Sequence, residues 1–216
     1  MVPARAFLRR LISYVNTVKS PHILIKLKPE VQADVSAWLE FLSKYNGVTF
    51  FRSLKVLPFH HLDMGSDASG HGYGAVFGSY WIQEAFPDNW QRVFKNREIG
   101  STTLELYPVM VLIGIFGPYI KNSSIPFHSD NQGVVDIVNK QSSPSPIIMA
   151  IVRKLVLYTV EFNINLRSEH IKGTKNVICD LISRFKETPA ILAAHGMNPT
   201  PTSIPQELSA HNFMLK

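Results

Sequence analysis

The chain has 216 residues, of which 45% are hydrophobic and 18% are charged. This composition favours a packed core and excludes a globally disordered chain, and the length fits one ordinary domain with an extension or two small domains. The net charge is +6, which suits a polyanionic partner but is shared by many other proteins.

Most of the excess charge lies at the N-terminus. Residues 1–30 contain six arginine and lysine residues against the single acid Glu30, a net charge of +5. Two interpretations stay open, a surface that tracks phosphates and an ordinary solvated basic helix face.

Cysteine content and hydropathy indicate in which cellular compartment the protein is expected. The single cysteine, Cys179, excludes an internal disulfide and indicates an intracellular protein, with cytoplasm and nucleus not separated. The longest apolar run, Val109–Phe116, is too short to span a bilayer, and no signal peptide is recognisable. We therefore expect no membrane partner.

The N-terminal part of the chain predicts a small helical unit over residues 1–48. One amphipathic helix is expected over 4–18, and a second from Glu30, where apolar residues recur at spacings of three and four. Asn46-Gly47 ends the second helix.

From Leu62 the pattern predicts an α/β domain over residues 58–186. Its order is three strands, a helix, a strand, two helices, a strand and a closing helix, with strands over 62–68, 74–81, 91–94, 125–129 and 162–167 and helices over 101–119, 132–140, 147–160 and 176–185. This order implies a mixed five-stranded sheet with three antiparallel and then parallel strands. Residues 187–216, rich in proline, predict a mostly irregular tail.

Four acids lie in apolar surroundings. Asp67 and Asp130 each follow or end an apolar strand, so both emerge at one sheet edge if those strands are neighbours; Glu105 and Asp180 lie within apolar helices. Each alone has an ordinary explanation, as a loop, cap, first-turn or exposed helix residue. Together they favour a shared site, because a carboxylate in apolar surroundings is costly unless it is paired or metal-bound.

Carboxylates suit one kind of chemistry in particular. Mg²⁺ prefers oxygen ligands, and two such ions ~4 Å apart activate the attacking water and stabilise the leaving oxygen in phosphodiester cleavage. Four acids supply enough negative charge for two Mg²⁺ ions, with Mn²⁺ a possible substitute, and they repel one another without metal.

The motifs around these acids resemble the ribonuclease H domains of retroelements. The order and the spacings of the motifs both fit. Among retroelements, the chain most resembles the polyproteins of the tyrosine-recombinase (DIRS-like) retrotransposons. Residues 1–48 resemble part of the segment that connects the polymerase to ribonuclease H in those polyproteins. The matching segments are Ser66–Ser69, Gly72–Ala75, Thr103–Val109, His128–Gln132 and Glu169–Arg184.

The resemblance implies roles for individual residues. Asp67, Glu105, Asp130 and Asp180 are the metal-binding acids that it implies, and His170 is the histidine that assists proton movement or product release. Contacts to an RNA–DNA hybrid are implied for a further group, for which local turn and cap bonding is an equally good explanation: Ser69, Asn131 and Asn176.

Three functions remain in competition. The first is metal-dependent endonucleolytic cleavage of the RNA strand of RNA–DNA hybrids, as part of a retroelement reverse transcriptase. The second is a non-catalytic nucleic-acid-binding module, and the third is a module that docks on a polymerase domain. Exposed apolar surface on the first two helices would favour docking.

Overall fold

The computed structural model describes residues 5–20, 22–44, 55–56, 64–90 and 100–213. Its centre is one mixed sheet that is covered by helices on both faces. The strands are β1 (Lys55–Val56), β2 (Met64–Ala68), β3 (Gly72–Phe77), β4 (Tyr80–Ala85), β5 (Ser123–Ser129) and β6 (Ile164–His170).

The sheet confirms the predicted mixed architecture, in which three antiparallel strands are followed by parallel ones. β2, β3 and β4 pair antiparallel, whereas β5 pairs parallel with β2 and with β6. The two-residue β1 adds a short parallel partner to β5 that the sequence did not predict. β5 alternates buried and half-buried residues along its length, as a strand with one better-covered face should.

The second and third strands differ from the prediction. The run 74–81 was expected to be one strand, but Gly78 has a φ of +56° and turns the chain between β3 and β4. Glycine adopts this left-handed backbone without steric cost, which permits the tight hairpin. The third strand is therefore Tyr80–Ala85, and the strand that was predicted at 91–94 lies outside the described residues.

Seven α-helices begin and end within the described residues. The longest ones in the domain, α3 (Ser101–Phe116) and α5 (Pro146–Glu161), pack against each other, and α3 also packs on β2 and β3. The opposite face of β2 and β3 is covered by α6. The others are α1 (Arg5–Val15), α2 (Pro29–Lys44), α4 (Gln132–Lys140), α6 (Val177–Ser183) and α7 (Pro189–Ala194).

Close contacts show that α3 and α5 run in the same direction. Gly114 of α3 lies against the ring of Tyr158, and Gly117, just beyond α3, lies against the ring of Phe162, just beyond α5. Both helices therefore end at the same end of the sheet. Because they pack along their length, both also begin at the opposite end.

A buried ion cluster joins the N-terminal helices to the domain. Asp34 of α2 is 1% exposed and accepts from Arg10 of α1 at 2.9 and 3.0 Å and from Arg153 of α5 at 2.5 Å. Trp38 Nε1 donates to the Phe7 carbonyl at 3.1 Å, and Phe7 is fully buried in the main core. Arg10 of the basic N-terminal segment thus has a structural partner.

The C-terminal residues 187–213 lie against the domain. Apart from α7, they contain one 3₁₀ turn at Gln206–Leu208. The Tyr107 hydroxyl donates to the Leu208 carbonyl at 2.9 Å, and Leu208 is 3% exposed. The segment is irregular yet packed, because it supplies apolar side chains that cover α3. The division into segments 1–48, 58–186 and 187–216 stays a prediction.

Within the described ranges, one helical segment is long and apolar enough to cross a bilayer. This is Ser101–Tyr119, with a mean hydropathy of 1.2. It is α3 and the turn that follows it, and 67% of it is buried inside the fold. A core helix meets the same criterion of length and composition, so the segment is weak evidence for a membrane.

Candidate metal and phosphodiester site

The register of two parallel strands brings the first pair of acids together. Gly65 of β2 is paired with His128 of β5. Counting two residues onward on each strand puts Asp67 level with Asp130, at the carboxyl ends of both strands. The expectation that these acids emerge at the same sheet edge is thereby met.

Asp67 is held between β2 and α6. Its carboxylate is only 8% exposed and accepts a hydrogen bond from the Ser183 hydroxyl at 2.5 Å. Burial chiefly raises the pKa of Asp67, the hydrogen bond from Ser183 opposes this, and the charges of Asp130 and Asp180 raise it further. A raised pKa beside other acids means that nearby positive charge does not fully compensate the ionised carboxylate.

Glu105 reaches the same place from the second turn of α3. Asn131 donates from Nδ2 to Glu105 Oε1 at 2.9 Å and orients the carboxylate. Burial raises the pKa of Glu105 from 4.5 to about 7; Asn131 lowers it, and repulsion by Asp67 and Asp130 adds to the rise. Three acids from two strands and one helix therefore act on one another electrostatically.

This raised pKa predicts how stability depends on pH in the absence of metal. A carboxyl group whose pKa is higher in the folded chain than in the unfolded chain favours folding while it is protonated. The benefit is complete below 4.5 and is lost as the pH rises to about 7. We therefore expect the free energy of unfolding to fall across this window, with Asp67 contributing in the same direction.

Urea unfolding in EDTA at about pH 5 and about pH 8 measures this difference. Glu105→Gln removes the titrating group while keeping its size and its hydrogen bond with Asn131, so its pH dependence should be shallower than that of the wild type. Equal pH dependence in both proteins would show that Glu105 does not titrate as described.

Asp180 is the fourth acid, on α6. It raises the pKa of Asp67 through its charge, so it lies within electrostatic reach. Its own Oδ1 accepts from Arg184 Nε at 2.7 Å, and both side chains are about half exposed. An exposed ion pair of this kind is worth little and exchanges readily with solvent.

The four carboxylates are suitable ligands for a hard divalent cation, although their side chains do not converge on a single point. Among the described residues, no three His, Cys, Asp or Glu side chains converge closely enough to form a ligand group. The chemistry nevertheless matches, because all four donors are carboxylate oxygens and the raised pKa values of Asp67 and Glu105 mark the two that gain most from an added positive charge.

His170 lies beside Asp130. It is the last residue of β6, and its Nε2 is 3.1 Å from the Asp130 carbonyl oxygen. A carbonyl can only accept, so this contact requires a proton on Nε2. The ring is exposed, which leaves it accessible to solvent and to a bound strand.

The three predicted substrate contacts are occupied by the protein itself. The Ser69 hydroxyl donates to the Ser183 carbonyl at 2.8 Å, and Asn131 caps α4 by accepting from Gly133 N at 2.8 Å. Asn176 is 4% exposed and donates to the Ser66 carbonyl at 3.0 Å and to Asp130 Oδ1 at 3.2 Å. Turn, cap and bridging roles therefore account for these side chains, and their contact with a hybrid stays a prediction.

Two residues near the acids were not given roles from the sequence. Ser183 holds Asp67, and Arg184 holds Asp180. Both belong to the matching segment Glu169–Arg184, so their position in the motif was the available signal. Cys179 is 2% exposed, and burial raises the pKa of its thiol, which makes it a poor nucleophile.

Comparisons with known proteins give one coarse likeness. No protein-family model matches the chain, and no curated protein shows significant similarity to it. Among solved structures, the chain is similar to ribonuclease H1 from the halophilic archaeon Halobacterium salinarum NRC-1, with 10% sequence identity and a TM-score of 0.43. The match covers 58% of this chain and 96% of that chain. A likeness at this level concerns the fold and carries no activity with it.

Proposed function

We propose that the protein is a metal-dependent endonuclease that hydrolyses the RNA strand of RNA–DNA hybrids. The observation that carries this proposal is the level placement of Asp67 and Asp130 on adjacent parallel strands, with Glu105 coupled to both by charge. The motif resemblance supports the choice of hybrid as substrate. It also supports an origin as the ribonuclease H part of a retroelement reverse transcriptase, with a polymerase domain as partner.

Asp67, Glu105, Asp130 and Asp180 would hold two Mg²⁺ ions. Those ions, when bound, would make a water molecule nucleophilic and stabilise the charge on the leaving 3′ oxygen. The protein's own part is to keep the acids in place: Ser183 orients Asp67, Asn131 orients Glu105, and Asn176 fixes Asp130.

His170 would serve as a proton carrier at the edge of the site. Its imidazole is exposed, and either ring nitrogen of a histidine can carry a proton. The contact with the Asp130 carbonyl keeps the ring beside the acidic site, and in this role it would pass a proton to the leaving group and recover one from solvent.

Cleavage of an end-labelled hybrid tests the proposal. With Mg²⁺ or Mn²⁺ we expect cuts in the RNA strand that leave 3′-hydroxyl and 5′-phosphate ends, no cuts in EDTA, and no cuts in a DNA duplex of the same sequence. Binding of the hybrid without any metal-dependent cut would reject the enzyme and leave the non-catalytic binding module.

Metal binding should also stabilise the fold. Cations that neutralise repelling carboxylates bind the folded chain better than the unfolded one, so saturating Mg²⁺ should raise the free energy of unfolding, by about 2.7 kcal/mol at a hundredfold excess over the dissociation constant. Thermal unfolding in EDTA and in increasing Mg²⁺ measures this. A melting temperature that does not change with Mg²⁺ would contradict a shared metal site.

A second candidate, docking on a polymerase domain, is favoured by exposed apolar side chains on the N-terminal unit. They form two helical stripes and the extended stretch between them, and Leu24 is fully exposed. A large number of exposed apolar side chains on one small unit is typical of an interaction site. The exposed side chains are Leu8, Ile12, Val15, Ile23, Leu24, Ile25, Leu27, Val35, Leu39 and Leu42. This role is compatible with cleavage, and it would be the main one if the cleavage experiment gave neither cuts nor hybrid binding.

A further inference from the structure

An open cavity lies between α1, the turn after α4 and the start of α5. Its volume is about 230 Å³, several times the roughly 30 Å³ that a water molecule occupies in the liquid. The polar part of its lining consists of Arg10 and Ser13 from α1, Ser143 from the turn and Arg153 from α5. No member of this set belongs to the acidic site.

The cavity carries a positive charge that its own carboxylate does not cancel. Arg10 and Arg153 share the single buried acid Asp34, so two positive charges face one negative charge and leave a net +1. Burial chiefly, and repulsion by Arg10, lower the pKa of Arg153, whereas Asp34 raises it. The cluster would therefore gain from one more negative group.

Within the part of the chain that the structure describes, some hydrogen-bond donors of the two arginines at the cavity also lack an acceptor. Arg153 Nε is buried and has no hydrogen-bond partner among the described residues. A guanidinium group has five N–H donors in a fixed planar arrangement, and Asp34 can accept from only some of those on two arginines. Arg153 Nε is enclosed and cannot itself meet an acceptor in the cavity. The Arg10 and Arg153 side chains keep 28% and 12% of their surface accessible, so their remaining N–H groups give the cavity a place for an acceptor with several oxygens.

The cavity lies at the same end of the molecule as the acids. α3 and α5 run in the same direction, with Gly114 against Tyr158. Glu105 precedes Gly114 by nine residues, and Met149, which lines the cavity, precedes Tyr158 by nine residues. Equal rises along two packed helices bring the cavity to about the level of Glu105.

We propose that this cavity binds a phosphate group through Arg10 and Arg153. Guanidinium groups match phosphate oxygens in pairs of parallel hydrogen bonds, which a net charge of +1 reinforces. The phosphate is that of a nucleic-acid backbone, bound away from the cut, an assignment that rests on the proposed function. A free phosphate ion is the other source of the same chemistry.

Substitutions at Ser13 give the cleanest test. Arg153→Ala would leave Asp34 with a single partner and risks misfolding, whereas Ser13 is an exposed residue that lines the cavity. Ser13→Glu places a carboxylate at the cavity and should exclude phosphate. Ser13→Gln is its neutral counterpart, and Asn16→Glu adds the same charge to an exposed residue that does not line the cavity.

Binding is measured in EDTA, so that cleavage plays no part. Fluorescence anisotropy with a labelled RNA–DNA hybrid over a NaCl series should show affinity about tenfold weaker for Ser13→Glu alone. The slope of log affinity against log salt should also be shallower by about 0.9, the loss of one phosphate contact. In a second arm, calorimetric titration with inorganic phosphate reports the site without nucleic acid.

The outcomes separate the proposal from the proposed function. A Ser13→Glu defect in the hybrid arm supports a backbone phosphate, whether or not the protein cuts. A defect in the phosphate arm alone supports the phosphate site and overturns its assignment to nucleic acid. If Ser13→Glu matches Asn16→Glu in both arms, the cavity binds no phosphate, and the arginine cluster is only a structural link.

Discussion

Asp67→Asn is expected to reduce metal-dependent hybrid cleavage by about a thousandfold or more, which corresponds to about 4 kcal/mol of transition-state stabilisation. Asp67 is the acid at the centre of the group, level with Asp130 and coupled to Asp180 and Glu105. Replacing it with a neutral amide of the same shape removes one negative charge and one cation ligand.

Folding should survive this substitution. The Ser183 hydroxyl can donate to an amide oxygen as it does to Asp67, and the loss of a repelling charge favours the folded chain in EDTA. Thermal unfolding should therefore give a melting temperature that is unchanged or slightly higher, so that lost cleavage cannot be attributed to lost structure. The gain in stability on adding Mg²⁺ should shrink.

Asp136→Asn is the matched control. Asp136 is a half-exposed acid on α4 whose ion pair with Lys140, at 2.8 Å, spans one helical turn. A solvent-screened surface pair of this kind contributes little to stability, and its loss should leave cleavage within about twofold of the wild type. Equal cleavage rates for Asp67→Asn and Asp136→Asn would remove Asp67 from the mechanism.

Gly74→Ala is expected to destabilise the fold by about 3 kcal/mol. Gly74 of β3 pairs with Asp67, and α6 crosses directly over it. A Cβ at this position would lie 2.6 Å from the Ser183 backbone nitrogen and 2.5 Å from Ile182 Cγ2. Ile182 is fully buried, so the clash is relieved only by displacing α6 from the sheet.

This displacement should also reduce cleavage, because α6 carries Asp180 and the Ser183 hydroxyl that holds Asp67. Gly65→Ala is the control on the neighbouring strand, where the new Cβ would be 3.4 Å from the nearest atom, an ordinary contact. Urea unfolding should place Gly65→Ala within about 1 kcal/mol of the wild type. Similar losses for both variants would mean that the close contact of α6 with Gly74 is not what restricts this position.

The mixed sheet and the juxtaposition of Asp67 with Asp130 could be predicted from the sequence, because both depend on local patterns. Each acid ends an apolar strand, and side chains of parallel neighbours emerge at the same edge. The turn at Gly78 was missed because buried apolar residues lie on both sides of it, β3 being buried throughout and Trp81 and Ile82 being buried in β4. Periodicity alone cannot locate such a turn.

The partners of the acids and of the arginines could not be predicted in the same way. Ser183 is 116 residues from Asp67, and Arg153 is 119 residues from Asp34. Asp34 reads as an ordinary polar helix residue, yet it is 1% exposed, because α1 and α5 cover it with arginines. Contacts of this kind depend on how helices pack, which no local pattern encodes.

The most direct test of the central claim, that Asp67, Glu105, Asp130 and Asp180 hold metal ions together, is a count of bound Mn²⁺ by electron paramagnetic resonance in the presence of a non-cleavable hybrid. We predict two ions per chain for the wild type, displaced by Mg²⁺, and much weaker binding for Asp67→Asn with binding retained in Asp136→Asn. No Mn²⁺ bound above background, or equal binding by the wild type and Asp67→Asn, would contradict a metal site formed by these acids.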